Sequence, residues 1–155
     1  MDLKYWQRVT KFDKAANALA DRHYNRRKPG SRQFMPPGQT IVMYASPDLI
    51  GGNGAVWGWW RPHPDSRLAS MNGLDGWTCT IFRNESPELS SLLILDAEPA
   101  VTELGYDIGP DGLLTYVWNS KIRSANPGFC FKMAGWRVRG RSADKRKTLL
   151  WKEAA

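Results

Sequence analysis

The sequence predicts a mixed α/β fold, a sandwich of sheet and helices. Its apolar runs follow the order β-α-β-β-β-α-β-α-β-β, with alternation in the strands and helical spacing between them. A chain of 155 residues with 42% hydrophobic residues and 8 Trp can bury a substantial core. Because no repeat or linker divides the chain, residues 1–155 are predicted to form a single domain.

The N-terminal half is predicted to contain one helix and three strands. A first strand lies within Tyr5–Thr10, and Lys11–Tyr24 has apolar residues at helical spacing. Thr40–Ala45 and Ala55–Trp60 pair as a hairpin around the turn-rich segment Ser46–Gly54. Alternation along the second hairpin strand sends two of its three tryptophans to one side, and one ring is a candidate platform for an extruded base.

The C-terminal half is predicted to contain four strands and two helices. The strand Trp77–Phe82 ends at a polar break, after which Ser86 is the expected N-cap and Pro87 the first helical residue. This helix is expected to bury one apolar face and to kink or split at Pro99. That face is predicted to carry Leu89, Leu92, Leu93, Ala97, Ala100, Val101 and Leu104. The remaining elements are a strand at Leu113–Trp118, a short helix within Asn126–Ala134 capped by Gly135, and strands at Arg137–Arg141 and Lys147–Trp151.

Charge is segregated along the chain, which has a net charge of +7. Residues 121–147 contain nine Lys or Arg and one acid, residues 22–32 contain five and no acid, and residues 85–111 contain seven acids and no base. This pattern predicts an acidic face and a basic face that attracts nucleic acid or a phosphate-rich cofactor, although solvated loops are the alternative. The candidate DNA-binding residues are Arg22, Arg26, Arg27, Lys28, Arg32, Arg137, Arg139, Arg141, Lys145, Arg146 and Lys147, with Arg137, Arg139 and Arg141 expected on one strand face.

A cytoplasmic location is predicted. No apolar run approaches the roughly 18 residues that a transmembrane helix needs, and the first six residues lack the apolar core of a signal peptide. Cys79 and Cys130 match no metal spacing and would make a poor disulfide framework for a secreted protein.

His23 and Tyr24, at the predicted end of the first helix, are candidates for proton transfer. Histidine can remove a proton from an amine or bind a metal, and tyrosine can protonate a leaving thiolate or stack on a base. The alternative is a histidine favoured by the helix dipole beside a tyrosine packed on the core. Two histidines do not predict a zinc site, but a metal held by His23 and carboxylates stays open.

The polar break after Phe82 is the second candidate site, because a strand entering a helix points free N–H groups at an anion. Arg83 can hold a phosphate, Asn84 can bind an adenine edge or a substrate amide, and Glu85 can accept a proton through water. The alternative is a cap built by Asn84 and Ser86, with Arg83 paired to Glu85.

The order of these elements resembles the GNAT N-acyltransferase fold, and its details resemble the Mom family of phage DNA-modification proteins. The resemblance covers most of the chain from Asp21 onward. It is carried by His23-Tyr24 and the arginines after them, Phe82-Arg83-Asn84-Glu85-Ser86, Leu114-Thr115-Tyr116-Val117, and Asn126 to Trp136. It implies an α+β fold with a GNAT-like, mostly antiparallel central sheet flanked by helices on both faces.

The resemblance implies acetyl-CoA or another acyl-CoA as cofactor, with its pyrophosphate on the backbone of Glu85–Leu89. The expected cofactor-binding residues are Phe82, Arg83, Ser86, Ser90, Ser91, Asn119, Asn126 and Phe131. Three positions depart from the family pattern. Ser86–Ser91 replaces the glycine-rich pyrophosphate loop, Phe131 replaces the tyrosine that protonates the thiolate, and Trp118 or Asn119 replaces an aspartate.

The implied function is acyl-CoA-dependent transfer to an amine of a DNA base, which protects phage DNA from host nucleases. The resemblance assigns catalysis to His23, Tyr24, Asn84 and Glu85, names double-stranded DNA as the partner, and leaves an iron-like divalent metal open. Two alternatives remain. One is a GNAT acyltransferase acting on a polyamine, peptide or protein amine, and the other is a catalytically inactive GNAT-fold protein that binds nucleic acid.

Overall fold

The fold is a seven-stranded mixed sheet with helices on both faces, as given by a computed structural model that describes residues 2–23, 28–63, 73–118, 128–142 and 144–153. Across the sheet the strands follow the order β1-β2-β3-β4-β5-β7-β6. The strands are β1 Gln7–Val9, β2 Gln39–Ala45, β3 Ala55–Arg61, β4 Trp77–Asn84, β5 Leu113–Trp118, β6 Arg137–Arg141 and β7 Lys147–Lys152. The helices are α1 Lys14–Asp21, α2 Pro47–Ile50, α3 Ser90–Ala97, α4 Ala100–Glu103 and α5 Phe129–Met133.

The predicted order of strands and major helices is confirmed within these residues, and two short helices are added. The first, α2, is a single turn inside the β2–β3 connection. The second, α4, follows Pro99, so the prediction that this proline kinks or splits the helix is confirmed, and the outcome is a split. Gly135 follows α5 with a φ of 93°, which suits a glycine just beyond a helix end.

Neighbouring strands run antiparallel throughout the described sheet except for β4 and β5, which are parallel. The carboxyl ends of β4 and β5 therefore lie at the same end of the sheet, called here the open end. The β6–β7 turn is at this end as well, because Lys147 pairs with Trp118 at the end of β5. The opposite end of the sheet, where Arg61 and Trp77 lie, is called the base.

Each face of the sheet has its own core. On one face, called the α1 face, α1 packs against Val42, Val56 and Ile81. On the other, called the α3 face, the helices α3, α4 and α5 cover the larger core. Among the residues described, no helix has the length and apolarity that crossing a bilayer requires.

The three tryptophans of β3 alternate between the two cores as predicted. Trp57 and Trp59 lie in the core of the α3 face and Trp60 in that of the α1 face, all of them buried. The indole nitrogens of Trp59 and Trp60 donate to the carbonyl oxygens of Ala97 and Pro37. The prediction of a stacking platform on this strand is therefore wrong, because packing encloses every ring.

The predicted start of the helix after β4 is wrong: α3 begins at Ser90, not after Ser86. The Asn84 side chain organises the intervening turn. Its Oδ1 accepts from the N–H and hydroxyl of Ser86, and its Nδ2 donates to the carbonyl oxygen of Glu88 and to Ser90 Oγ. An Asx turn therefore replaces the first predicted helical turn.

The predicted apolar face of this helix is only partly correct. Leu93, Ala97, Ala100 and Val101 are buried, as is Ile94. Leu89 and Leu92, however, have relative exposures of 64% and 41%. Leu89 precedes the helix and Leu92 points away from the sheet, so neither reaches the core that helical spacing assigned to it.

Candidate active site

The central feature of the site is a gap between β4 and β5. These strands pair over only three positions, from Trp77 opposite Leu113 to Cys79 opposite Thr115. Beyond Cys79 the ladder stops, although β4 continues to Asn84. The Thr115 hydroxyl donates to the carbonyl oxygen of Cys79 at 3.0 Å, which closes the last rung of the ladder.

A β-bulge explains where the strands part. In the β3–β4 pairing, Ile81 lies opposite Gly58 and Cys79 opposite Trp59, so Thr80 is an extra residue on β4. An extra residue bends its strand and increases its local twist. Because Thr80 immediately follows the last pair with β5, the bend begins where the β4–β5 ladder ends.

The gap forms a small cleft with a volume of about 30 Å³, which is the size of a water site. The cleft passes between the strands, so both faces of the sheet contribute to its walls. His23, Ile81 and Tyr116 line it on the α1 face, while Phe82, Val117 and Phe131 line it on the α3 face. The remaining lining residues are Cys79, Thr80 and Thr115.

His23 follows the C-cap of α1 and is only 9% exposed. Its ring donates a hydrogen bond to the backbone carbonyl of Phe82. Burial, together with the positive charge of Arg83, lowers the pKa of His23 to about 4. The imidazole is therefore neutral at pH 7, the form that accepts a proton.

Glu85 is at the centre of an ion-pair cluster next to the cleft. Its Oε2 accepts from Arg22 Nε at 2.7 Å and from Arg83 Nε at 2.5 Å, and its Oε1 accepts from Asn53 Nδ2 at 3.0 Å. The hydrogen bond from Arg22, supported by those from Arg83 and Asn53, lowers the pKa of Glu85 to about 2. These contacts argue against Glu85 as the predicted proton acceptor, and they match the alternative in which it pairs with Arg83.

Asn84 is likewise occupied by its own turn. Its amide nitrogen and its oxygen are both hydrogen-bonded to residues 86–90. The arrangement matches the structural alternative for Asn84 and argues against its reading a base edge, because that would require breaking this turn.

The backbone N–H groups of Glu85–Leu89, where a phosphate-binding site was expected, already have hydrogen-bond acceptors or are missing. Glu85 N–H donates to the Gly54 carbonyl at 2.9 Å, and the N–H groups of Ser86, Glu88 and Leu89 donate to side-chain oxygens within residues 84–88. Pro87 has no N–H. These contacts argue against the expected site, because the β2–β3 turn and nearby side chains already use the N–H groups.

Open backbone donors lie slightly further along the chain. Within the described residues, the N–H groups of Ser90 and Ser91 at the start of α3 have no assigned acceptor. The α3 N-cap, Leu89, makes no side-chain capping bond. These two amides fit a phosphate group better than those of the preceding turn.

Phe82 and Phe131 form an apolar wall of the cleft. Their ring centroids are 6.1 Å apart, and both rings pack against Trp57. Phe131 therefore offers no proton donor where the family resemblance expects a tyrosine.

Sequence reasoning missed Thr115 and Tyr116 as site residues, although both line the cleft. The available signal was a pair of hydroxyl residues inside the otherwise apolar strand Leu113–Trp118. Tyr116 places a phenol on the same face as His23.

The predicted basic face is divided by the fold. The β6–β7 register shifts at Arg139, so Arg137 lies opposite Trp151 and Arg141 opposite Thr148. Positions three apart on β7 point to opposite faces, so the prediction that Arg137, Arg139 and Arg141 share one face is wrong.

The basic residues also differ in their position along the sheet. Arg139 pairs with Asp111 at 2.9 Å near the base, and Arg32 lies over the Phe12 ring, beside the start of α1. At the open end lie Arg22, Arg141, Lys145, Arg146 and Lys147, the last with its ammonium 4.9 Å from the Trp118 ring centroid. Lys28 is exposed in the loop after α1.

Several predicted site residues lie outside the described residues. These are Tyr24, Arg26, Arg27, Asn119 and Asn126. In the part of the chain that is described, no group of three or more His, Cys, Asp or Glu converges as a metal site. Because Glu85 is engaged by two arginines, the described surroundings of His23 do not fit a divalent metal.

Comparisons of this chain with protein-family models, with curated proteins and with solved structures each found no match.

Proposed function

We propose that this protein has a GNAT-type fold and transfers an acyl group from acyl-CoA to an amine of a DNA base, as its resemblance to the Mom family implies. The supporting observation is the cleft between β4 and β5, which opens between both faces of the sheet. A donor held on the α3 face and an amine presented on the α1 face would meet in this gap. In the described part of the sheet, one parallel pair among antiparallel neighbours agrees with the expected fold.

His23 is the proposed general base. Its ring is neutral at pH 7, held by the Phe82 carbonyl, and part of the cleft wall, so it can take a proton from an attacking amine. Tyr116 lines the same cleft, and among the described lining residues it carries the phenol proposed to return a proton to the departing thiolate. In this role Tyr116 would replace the proton-donating tyrosine that the family resemblance expects at position 131.

Bound acyl-CoA would supply an activated thioester at this gap. The open N–H groups of Ser90 and Ser91 would hold its phosphates at the start of α3. The small volume of the cleft implies that Phe82 and Phe131 move apart to admit the thioester.

DNA is the proposed acceptor because basic side chains surround the open end on the side of His23. Arg22 adjoins His23 in sequence, Arg83 follows the β4 edge of the cleft, and Lys147 lies at the end of β5. An acyltransferase for a polyamine would instead be expected to present an acidic channel. The carboxylate of Glu85 beside this cleft is neutralised by two arginines, which disfavours that alternative.

The test is mass spectrometry of nucleosides from plasmid DNA co-expressed with the protein. We expect one nucleoside to gain the mass of an acyl group with the wild type. His23→Ala should lower the yield by about 100-fold or more, the usual contribution of a general base. His63→Ala is the matched control, because His63 is exposed just beyond the base end of β3. Unmodified nucleosides from the wild type would reject the proposal.

The closed turn at Glu85–Leu89 and the apolar Phe131 favour one competing function, a GNAT-fold protein that binds nucleic acid without catalysis. Calorimetry with acetyl-CoA separates the two. Binding with a stoichiometry of about one supports the enzyme, whereas DNA binding without any acetyl-CoA binding supports the inactive form.

A further inference from the structure

We propose that Arg22 and Arg83 form a preorganised phosphate-binding pair beside the cleft, and that its ligand is a backbone phosphate of the nucleic acid. The inference rests on the proposed nucleic-acid substrate and adds the residues that hold the nucleotide next to the reacting base.

The two guanidinium groups converge on one carboxylate. Glu85 receives two hydrogen bonds from Arg22, at 2.7 Å and 3.0 Å, and one from Arg83. Its side chain is only 15% exposed, and Asn53 fixes it from the turn between β2 and β3. Glu85 therefore holds the two guanidinium groups close together, while its single negative charge neutralises only one of their two positive charges.

Both arginines retain unused donors. Among the described residues, the two Nη atoms of Arg83 and the Nη1 atom of Arg22 have no hydrogen-bond acceptor. The arginine side chains are 34% and 47% exposed, so these donors are accessible to a ligand. A phosphate ester, with several acceptor oxygens, matches paired guanidinium groups in charge and geometry.

The pair is placed where a nucleotide would need to be held. Arg83 lies opposite Val56, whose side chain belongs to the core of the α1 face, so Arg83 is on the same face as His23. Arg22 directly precedes His23 and forms the C-cap of α1. A base that leaves the helix to enter the cleft would keep its phosphate at the cleft mouth, beside these two side chains.

Phosphate could also come from coenzyme A. The open amides of Ser90 and Ser91, however, follow the turn that leads to α3, and α3 covers the opposite face of the sheet. The position of the arginines on the α1 face therefore favours the nucleic-acid phosphate, and the two sources can be separated experimentally.

The test is fluorescence anisotropy of a labelled DNA duplex at several salt concentrations. We expect Arg22→Gln and Arg83→Gln each to reduce the slope of log K against log salt by about 0.9, the value for one lost phosphate contact. Arg8→Gln is the matched control, since Arg8 is an exposed arginine of the edge strand β1 whose guanidinium donates to the Thr40 carbonyl and the Tyr106 hydroxyl. Slopes equal to that of Arg8→Gln in both variants would overturn the proposal.

The folding of each variant is checked by thermal melting. Arg22→Gln leaves Glu85 bonded to Arg83 and Asn53, so this variant decides the matter if Arg83→Gln does not fold. Calorimetry with coenzyme A gives the second arm. A loss of coenzyme A affinity with unchanged DNA slopes would assign the pair to the cofactor and overturn the nucleic-acid assignment.

The outcomes also separate this inference from the proposed function. Reduced DNA slopes with unmodified nucleosides would support the arginine pair and reject acyl transfer. Modified nucleosides with unchanged DNA slopes would support acyl transfer and reject the arginine pair. A wild-type protein that does not bind DNA would reject both the arginine pair and the proposed function.

Discussion

His23 combines burial with a hydrogen bond to the backbone carbonyl of Phe82. Placing an imidazole among apolar side chains disfavours its charged form, and the adjacent Arg83 adds electrostatic repulsion. The hydrogen bond to the Phe82 carbonyl raises the pKa of His23, but by less than burial and Arg83 lower it. The imidazole is thereby kept neutral at pH 7, and the same environment makes it a weaker base than a solvent-exposed histidine.

This environment predicts a specific pH dependence of stability. Because the folded pKa of His23, about 4, is below the usual value of 6.5, the unfolded chain takes up a proton first as the pH falls. Lowering the pH from 7 to 4.5 should therefore cost the wild type about 2 kcal/mol through this residue. Urea denaturation of the wild type and His23→Gln at both pH values measures the difference. An equal pH dependence in the two proteins would contradict the assignment.

The turn between β2 and β3 serves as a support for the end of β4. Asn53 N–H donates to the Glu85 carbonyl at 3.0 Å, and Glu85 N–H donates to the Gly54 carbonyl at 2.9 Å. Gly52 has a φ of 56°, and a Cβ there would lie 2.1 Å from the Glu85 carbonyl oxygen. The glycine-rich turn thus allows the hairpin to approach the end of β4, where Arg83 lies, and Glu85 directly after it.

Gly52→Ala should consequently destabilise the fold by about 2 kcal/mol or more, through the close contact and the left-handed backbone together. The matched control is Gly30→Ala, because Gly30 has a φ of 84° but a Cβ added there would have no neighbouring atom within 4 Å. Chemical denaturation of both variants measures the two losses. Equal losses would show that the contact with Glu85 contributes nothing.

The acidic segment 85–111 does not simply form a solvated face. Asp96 accepts the N–H groups of Lys4, Tyr5 and Trp6, and thereby ties the N-terminal segment to α3. Glu98 pairs with Lys152 at 2.6 Å. Some acidic residues of segment 85–111 therefore hold distant segments of the chain together instead of lying free on a solvated face.

The contact of Asp96 with the N-terminal segment predicts a global effect on stability. Asp96→Asn should lose about 1–3 kcal/mol of unfolding free energy, because an amide donor replaces an acceptor that faces three N–H groups. Glu103→Gln is the control, since among the described residues Glu103 accepts a hydrogen bond only from the Asp2 N–H, in an exposed position. Thermal and urea unfolding measure the loss of stability in each variant. A loss for Asp96→Asn no larger than that for Glu103→Gln would argue against this role.

The sequence by itself determined the order of the elements and most of their bounds. Leu113–Trp118 and Arg137–Arg141 occur as predicted, because alternation, turn residues and the break at Pro99 act between neighbours in the chain. It also marked His23 and the Phe82–Ser86 break as two separate candidate sites. The fold brings them together, since the His23 ring donates to the Phe82 carbonyl.

Only the tertiary structure decided how those residues are used. The Asx turn of Asn84 moved the start of α3, the bulge at Thr80 set the point where β4 leaves β5, and the bulge at Arg139 split the basic strand between two faces. Glu85 acquired its arginine partners from α1 and β4. The Asx turn is local, but its side-chain hydrogen bonds are not encoded in hydrophobic periodicity. The two bulges and the pairing of Arg22 with Glu85 depend on strand pairing and charge pairs between segments distant in sequence.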